Sequence, residues 1–200
     1  MYTQIAETCI AFDGNRLIAK GDILEVVRKV KTHVDKKEDA SVLMFDAVSS
    51  RIVELDLRGK PEDVLASVEA RLKQAGLGAA EAKEEPRGPG RPKLGVVSRE
   101  VTLLPRHWEW LEQQPGSASV TLRKLVDEAR KRNQERDRVR IAQEAAFRFM
   151  NAMAGDQRGF EEALRALYAG DPERFASQII SWPVGIREHT LELVREVFEG

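Results

Sequence analysis

The chain has 200 residues, 42% apolar and 32% charged, with a formal net charge of −1, enough for one large domain or two to three small ones. No apolar run approaches the roughly eighteen residues of a membrane span, and the opening Met1-Tyr-Thr-Gln-Ile-Ala-Glu7 lacks the basic-then-apolar pattern of a secretory signal. One cysteine, Cys9, excludes an internal disulfide and supplies too few thiolates for zinc, so a cytoplasmic protein without metal or cofactor is expected.

In chain order, Asp13-Gly14-Asn15 stands between two apolar runs and predicts a tight hairpin. Gly21-Asp22 starts a helix, with Asp22 as N-cap and Ile23, Val26, Val27, Val30 and Val34 as its apolar stripe. Ser41 to Phe45 and Arg51 to Leu57 predict a second hairpin, turning near Ser49-Ser50. Pro61, followed by Glu62 and Asp63, opens a second helix with stripe Val64, Leu65, Val68 and Leu72. The expected fold class is α+β, beginning with a ββαββα domain over residues 1–75. Its aspartates Asp13, Asp22, Asp46, Asp56 and Asp63 fall where turns and helix caps favour that residue, and His33 lies on a lysine-rich helix end. A sensor or dimerisation domain is expected there, not a catalyst.

Residues 76–97 predict a flexible basic linker, Gly76 to Arg91 being almost without large apolar side chains. Its end, Pro86-Arg-Gly-Pro-Gly-Arg-Pro-Lys93, resembles the core of an AT-hook, in which Gly-Arg-Pro lies along a narrow A·T-rich minor groove. Pro89 stands where that core usually carries arginine. The resemblance assigns Arg87, Arg91 and Lys93 to the groove, whose negative potential attracts arginine.

Residues 98–138 predict a strand over Arg99 to Leu104, a helix over Arg106 to Gln114, a break at Pro115-Gly116, and a second helix from Val120 to Arg132. In the first helix Trp108 and Leu111 share a face; in the second, Leu122, Leu125, Val126 and Ala129 repeat at i, i+3, i+4 and i+7. This order resembles a ribbon-helix-helix module, which implies an intertwined homodimer whose paired strands enter the major groove of DNA. The resemblance puts Arg99, Val101 and Leu103 on the groove face, with Leu104 turned inward. Backbone amides near Ser117 and Ser119 would grip a phosphate, with Arg106, Arg123 and Lys124 adding contacts. Glu100 opposes phosphate, and the groove-facing set offers little hydrogen-bonded readout.

Residues 139–200 predict a helical domain with its own apolar core. Ile141, Ala145, Phe149 and Met153 form one stripe, and Phe160, Ala163, Leu164, Leu167 and Tyr168 another. Asp171-Pro172-Glu173 is a helix start, Phe175, Ile179 and Trp182 follow, and Ile186, Thr190, Val194 and Val197 run to the end.

Charge follows the same divisions. Residues 1–86 hold 13 basic and 16 acidic side chains, net −3; residues 87–140 hold 13 and 7, net +6; residues 141–200 hold 6 and 10, net −4. A basic middle between acidic flanks points to a polyanion at the middle alone. No phosphate-binding glycine loop, metal-ligand spacing or nucleophile elbow is present, so an enzyme is not expected.

Phe12-Asp-Gly14, Leu57-Arg-Gly59, Gly90-Arg-Pro-Lys-Leu94, Val101-Thr-Leu-Leu-Pro-Arg-His-Trp108, Phe149-Met150, Ala154-Gly-Asp156, Phe160-Glu-Glu-Ala163, Arg165-Ala-Leu167 and Trp182-Pro183 together resemble a bacterial family, domain of unknown function 2239. That resemblance spans all three regions and carries no activity. Two functions remain: a dimeric DNA-binding protein, such as a transcriptional regulator or nucleoid-associated factor, or an assembly module whose strand-helix-helix is a dimer clasp without DNA binding.

Overall fold

The computed structural model describes residues 7–37, 39–76 and 97–199. It is mixed α+β, with one small three-stranded antiparallel sheet and otherwise mostly helices. The chain forms two compact units: residues 1–81 together with 137–200, and residues 82–136.

In the first unit, β1 (Thr8–Asp13) and β2 (Arg16–Asp22) form the expected hairpin across Gly14-Asn15. Asp22 caps α1 (Ile23–Lys36), its carboxylate accepting from the Leu24 amide at 2.9 Å and the Glu25 amide at 3.3 Å. α2 (Pro61–Gln74) starts at its proline, and Val64, Val68 and Leu72 are its buried side chains.

The second hairpin is where expectation and structure part. β3 (Val42–Asp46) pairs antiparallel with β1, giving the order β2-β1-β3. Arg51 to Leu57 adds only one isolated bridge, Phe45 to Ile52. The return does begin as foreseen: the Asp46 carboxylate accepts from the Val48 and Ser49 amides at 2.9 and 2.6 Å, and Val53 N–H donates to Met44 O at 2.9 Å. Beyond that, Leu55 and Leu57 pack against the α1/α2 core instead of extending the ladder. The order is thus ββαβα, not ββαββα. Apolar alternation marks a segment as half-buried without saying whether hydrogen bonds or side chains hold it.

β1 is buried on both faces, as its continuous Cys9-Ile10-Ala11-Phe12 run requires. Cys9 and Ala11 pack with α1 and α2, beside Val26, Val27, Val30 and Val68. Ile10 and Phe12, with Phe45 of β3, enter a second core built from the C-terminal helices. Those helices are α4 (Ala118–Ala154), α5 (Phe160–Ala169), α6 (Pro172–Ile179), α7 (Val184–Leu193) and α8 (Arg195–Phe198), of which α4 enters this unit from residue 137 onward. The C-terminal helices therefore close their core on the sheet, where the sequence suggested a core of their own. Phe149 lies at its centre, its ring 5.6 Å from Phe12, 5.4 Å from Phe45 and 4.6 Å from His189.

The cap and turn signals in this half hold, whereas Ile141 and Tyr168, placed in its apolar stripes, are exposed. Asp171 caps α6 by accepting from the Arg174 amide at 3.0 Å. Trp182 is buried, and its indole N–H donates to Arg158 O at 3.0 Å. Gly185 lets α7 approach β2 closely, because a Cβ there would sit 3.0 Å from Leu17 Cβ.

The helix read from Val120 to Arg132, with a charge-dense helical continuation from Arg130 to Arg140, runs unbroken to Ala154, across the 138/139 division drawn from sequence. Nothing between Arg130 and Arg140 breaks a helix, and Arg, Lys, Gln and Glu are all good helix formers.

Candidate nucleic-acid interface

Within residues 97–136, neither helix nor strand forms before Pro105, so the Arg99 to Leu104 strand is not formed in the single chain. An exposed extended segment with no strand beside it leaves its backbone groups to water. α3 (Pro105–Glu112) starts at its proline, the Leu104 carbonyl accepting from the His107 and Trp108 amides at 2.8 and 3.3 Å.

Gly116 turns the chain at φ 104°, a conformation that strains any residue with a Cβ. Its neighbour Ser117 occupies the N-cap position of α4, its carbonyl accepting from the Val120 and Thr121 amides at 2.9 and 3.1 Å. Ser119 is one residue inside the helix. The first turn of α4 carries no acidic side chain, so its free amides keep their partial positive charge.

Arg99, Arg106, Arg123 and Lys124 are all exposed, and none has an ion-pair partner among the described residues. Val101 is 54% exposed, whereas Leu103 is half-buried. Leu104, expected to turn inward, is 48% exposed. Arg87, Arg91 and Lys93 lie outside the described residues.

Burial separates this unit from the first. Among its described residues only Leu111 is buried, while Val101, Leu104, Trp108, Trp110, Leu125 and Val126 are exposed. Trp108 and Leu111 were legible as one face of a helix; the exposure of Trp110 was not, since periodicity shows which residues share a face but not whether anything covers it.

Three of the aspartates singled out from the sequence are taken up locally. Asp22 caps α1, Asp46 holds its turn, and Asp56 accepts from the Arg58 amide and guanidinium, which keep its carboxyl below the usual range. The Cys9 thiol is pushed up to about 12, by burial first and then by the charges of Asp46 and Asp22, so it holds its proton at neutral pH. Among the described residues no three of His, Cys, Asp and Glu gather as a metal site, and no helix is long and apolar enough to cross a membrane.

The chain belongs to the family described as "Uncharacterized protein conserved in bacteria (DUF2239)", whose model matches residues 8–194. No curated protein and no solved structure matches it.

Proposed function

We propose that the protein is a cytoplasmic, homodimeric DNA-binding factor, a transcriptional regulator or nucleoid-associated protein. One observation carries this reading: among the described residues, 97–136 join cations without an ion-pair partner to exposed apolar side chains. Described residues in which Leu111 is the one buried side chain offer too little core to stand alone. Pairing the 99–104 segments of two copies in a ribbon-helix-helix arrangement would cover Leu104, Trp108, Leu125 and Val126 and satisfy the ribbon backbone together.

In that dimer Arg99, Val101 and Leu103 face the major groove. The amides at Ser117 and Ser119 hold a phosphate, and Arg106, Arg123 and Lys124 hold its neighbours. Arg87, Arg91 and Lys93 extend the contact into an adjacent minor groove. Six to eight phosphate contacts per dimer correspond to a slope of about −5 to −7 in log K against log salt.

The test is fluorescence anisotropy with A·T-rich and G·C-rich duplexes across a salt series, using wild type, R91A/K93A and R123A/K124A. Tighter binding to A·T-rich duplex, with a slope that flattens in both variants, is expected. Absence of duplex binding at low salt refutes the reading.

The exposed apolar set also supports a second reading, a dimer clasp without DNA, because dimerisation alone covers it. Glu100, which repels phosphate, fits that reading better. Val126→Glu should dissociate the dimer in sedimentation under either reading, so the duplex titration decides between them.

A further inference from the structure

The first unit carries a basic face that segment charge conceals. Arg28, Thr32 and Lys36 recur at i, i+4 and i+8 on α1, with Lys29 and His33 as a second row beside them. Both rows stand away from the buried stripe of Ile23, Val26, Val27 and Val30. The longer row runs about 12 Å along the helix, eight residues at about 1.5 Å each. With Ile18 of β2, these five residues line an open groove of about 410 Å³.

Among the described residues no lining side chain is acidic, and the cations nearby divide sharply by partner. Lys31 pairs with Asp35, and Lys37 with Asp13 at 2.5 Å. Arg28, Lys29 and Lys36 have no ion pair among the described residues. Asp13 cannot neutralise them, since it already accepts from Lys37, from His33 Nε2 at 2.9 Å and from the Ser41 amide at 3.0 Å. Those donors hold its carboxyl well below the usual carboxylate range. The His33 ring is thereby fixed, with Nδ1 left as its uncommitted nitrogen.

A solvated helix face explains less of this. Lys36 lies in the last turn, where the helix dipole favours a cation, but Arg28 and Lys29 lie about two turns earlier, where that effect has faded. Glu25, one turn before Lys29, stands outside the groove lining.

We propose that this groove binds phosphate, accepting two or more phosphate groups spaced along α1. Two sources present that chemistry, a small ligand bearing a phosphate chain and a run of nucleic-acid backbone. The inference does not rest on DNA binding by residues 97–136.

The probe is inorganic tripolyphosphate, titrated into the full chain at low salt by calorimetry and followed by thermal unfolding against chloride of equal ionic strength. Wild type should bind and unfold at higher temperature. Arg28→Gln with Lys36→Gln should weaken binding at least about tenfold, the scale of one charge-assisted hydrogen bond, and leave unfolding in chloride unchanged because both side chains are exposed. R123A/K124A should keep the full response, which separates this site from the proposed DNA interface. A duplex that displaces tripolyphosphate from wild type assigns the groove to nucleic-acid backbone; one that does not assigns it to a small ligand. No effect beyond chloride, or an equal response in the Arg28/Lys36 double variant, overturns the proposal.

Discussion

Phe149→Ala tests whether the sheet and the C-terminal helices share one core. The side chain is fully buried and its ring touches three others, Phe12 and Phe45 from the sheet and His189 from α7. Truncating a buried phenylalanine costs about 3–5 kcal/mol. Aromatic pairs add about 0.5–1.5 kcal/mol each beyond area burial, so the cost should lie near 5 kcal/mol. That is a large share of the roughly 5–15 kcal/mol that holds a domain folded, and at about 2–4 °C per kcal/mol it lowers Tm by about 10–20 °C. Urea unfolding followed by circular dichroism gives the free energy. Phe12→Ala, alone and combined with Phe149→Ala, then measures the coupling, expected at about 0.5–3 kcal/mol. Additive losses, with the sheet and the C-terminal helices unfolding in separate transitions, would show that the two do not share a core.

Other consequences follow from single contacts. Asp22→Ala removes the carboxylate that accepts two amides at the start of α1 and should cost about 1 kcal/mol in the same urea assay. The pKa of His189 is lowered below its ordinary 6.5, by burial first and also by Lys20, against the hydrogen bond to Glu192. The unfolded chain therefore takes up a proton that the folded one refuses: stability is level above about pH 6.5 and falls as pH drops below it, and His189→Gln should flatten that fall. Asp13→Asn removes the charge and the Oδ2 acceptor that Lys37 and His33 share, leaving only a carbonyl to accept from the Ser41 amide. Its depressed carboxyl contributes stability above the unfolded value of 3.8 that is lost as pH falls, so the variant should unfold earlier at pH 7 and converge with wild type in acid. Finally, if residues 97–136 are completed by a second copy, protection of the α3 amides from hydrogen exchange should rise with protein concentration, whereas β1 amides should show no such change.

How much was legible depended on whether a signal was local. Turn and cap signals need only a few neighbouring atoms, so Asp13-Gly14-Asn15, Asp22, Pro61 and Asp171-Pro172 were read correctly and mark the structural boundaries. Partner choice is non-local. The stripe Ile141, Ala145, Phe149 and Met153 announced a buried face, of which Ile141 instead lies 53% exposed, and nothing in its period says that Ile10, Phe12 and Phe45 fill the other side. The second hairpin was misread for the same reason, since β3 takes β1 as its partner and leaves Arg51 to Leu57 with one bridge. At the candidate DNA interface, residue types and helix order were legible, while the degree of exposure of Trp110 and Leu104 was not.

Charge shows the same limit from another side. Summed along the chain, residues 1–86 are net acidic, and segment charge alone turns them away from polyanions. Folding regroups those charges by face, not by segment. Lys31 and Lys37 are drawn into pairs with Asp35 and Asp13, which removes acid and base in equal measure, and the pairing is unequal in space. What survives on the groove side of α1 is Arg28, Lys29 and Lys36, three cations with no carboxylate among the described lining residues. Exposed charges more than about 8 Å apart are screened at physiological salt, so a ligand there responds to this local excess and not to the sign of the whole segment. A net charge of −1 is therefore compatible with two positive surfaces on one chain, and only the arrangement on each helix face decides where an anion can settle.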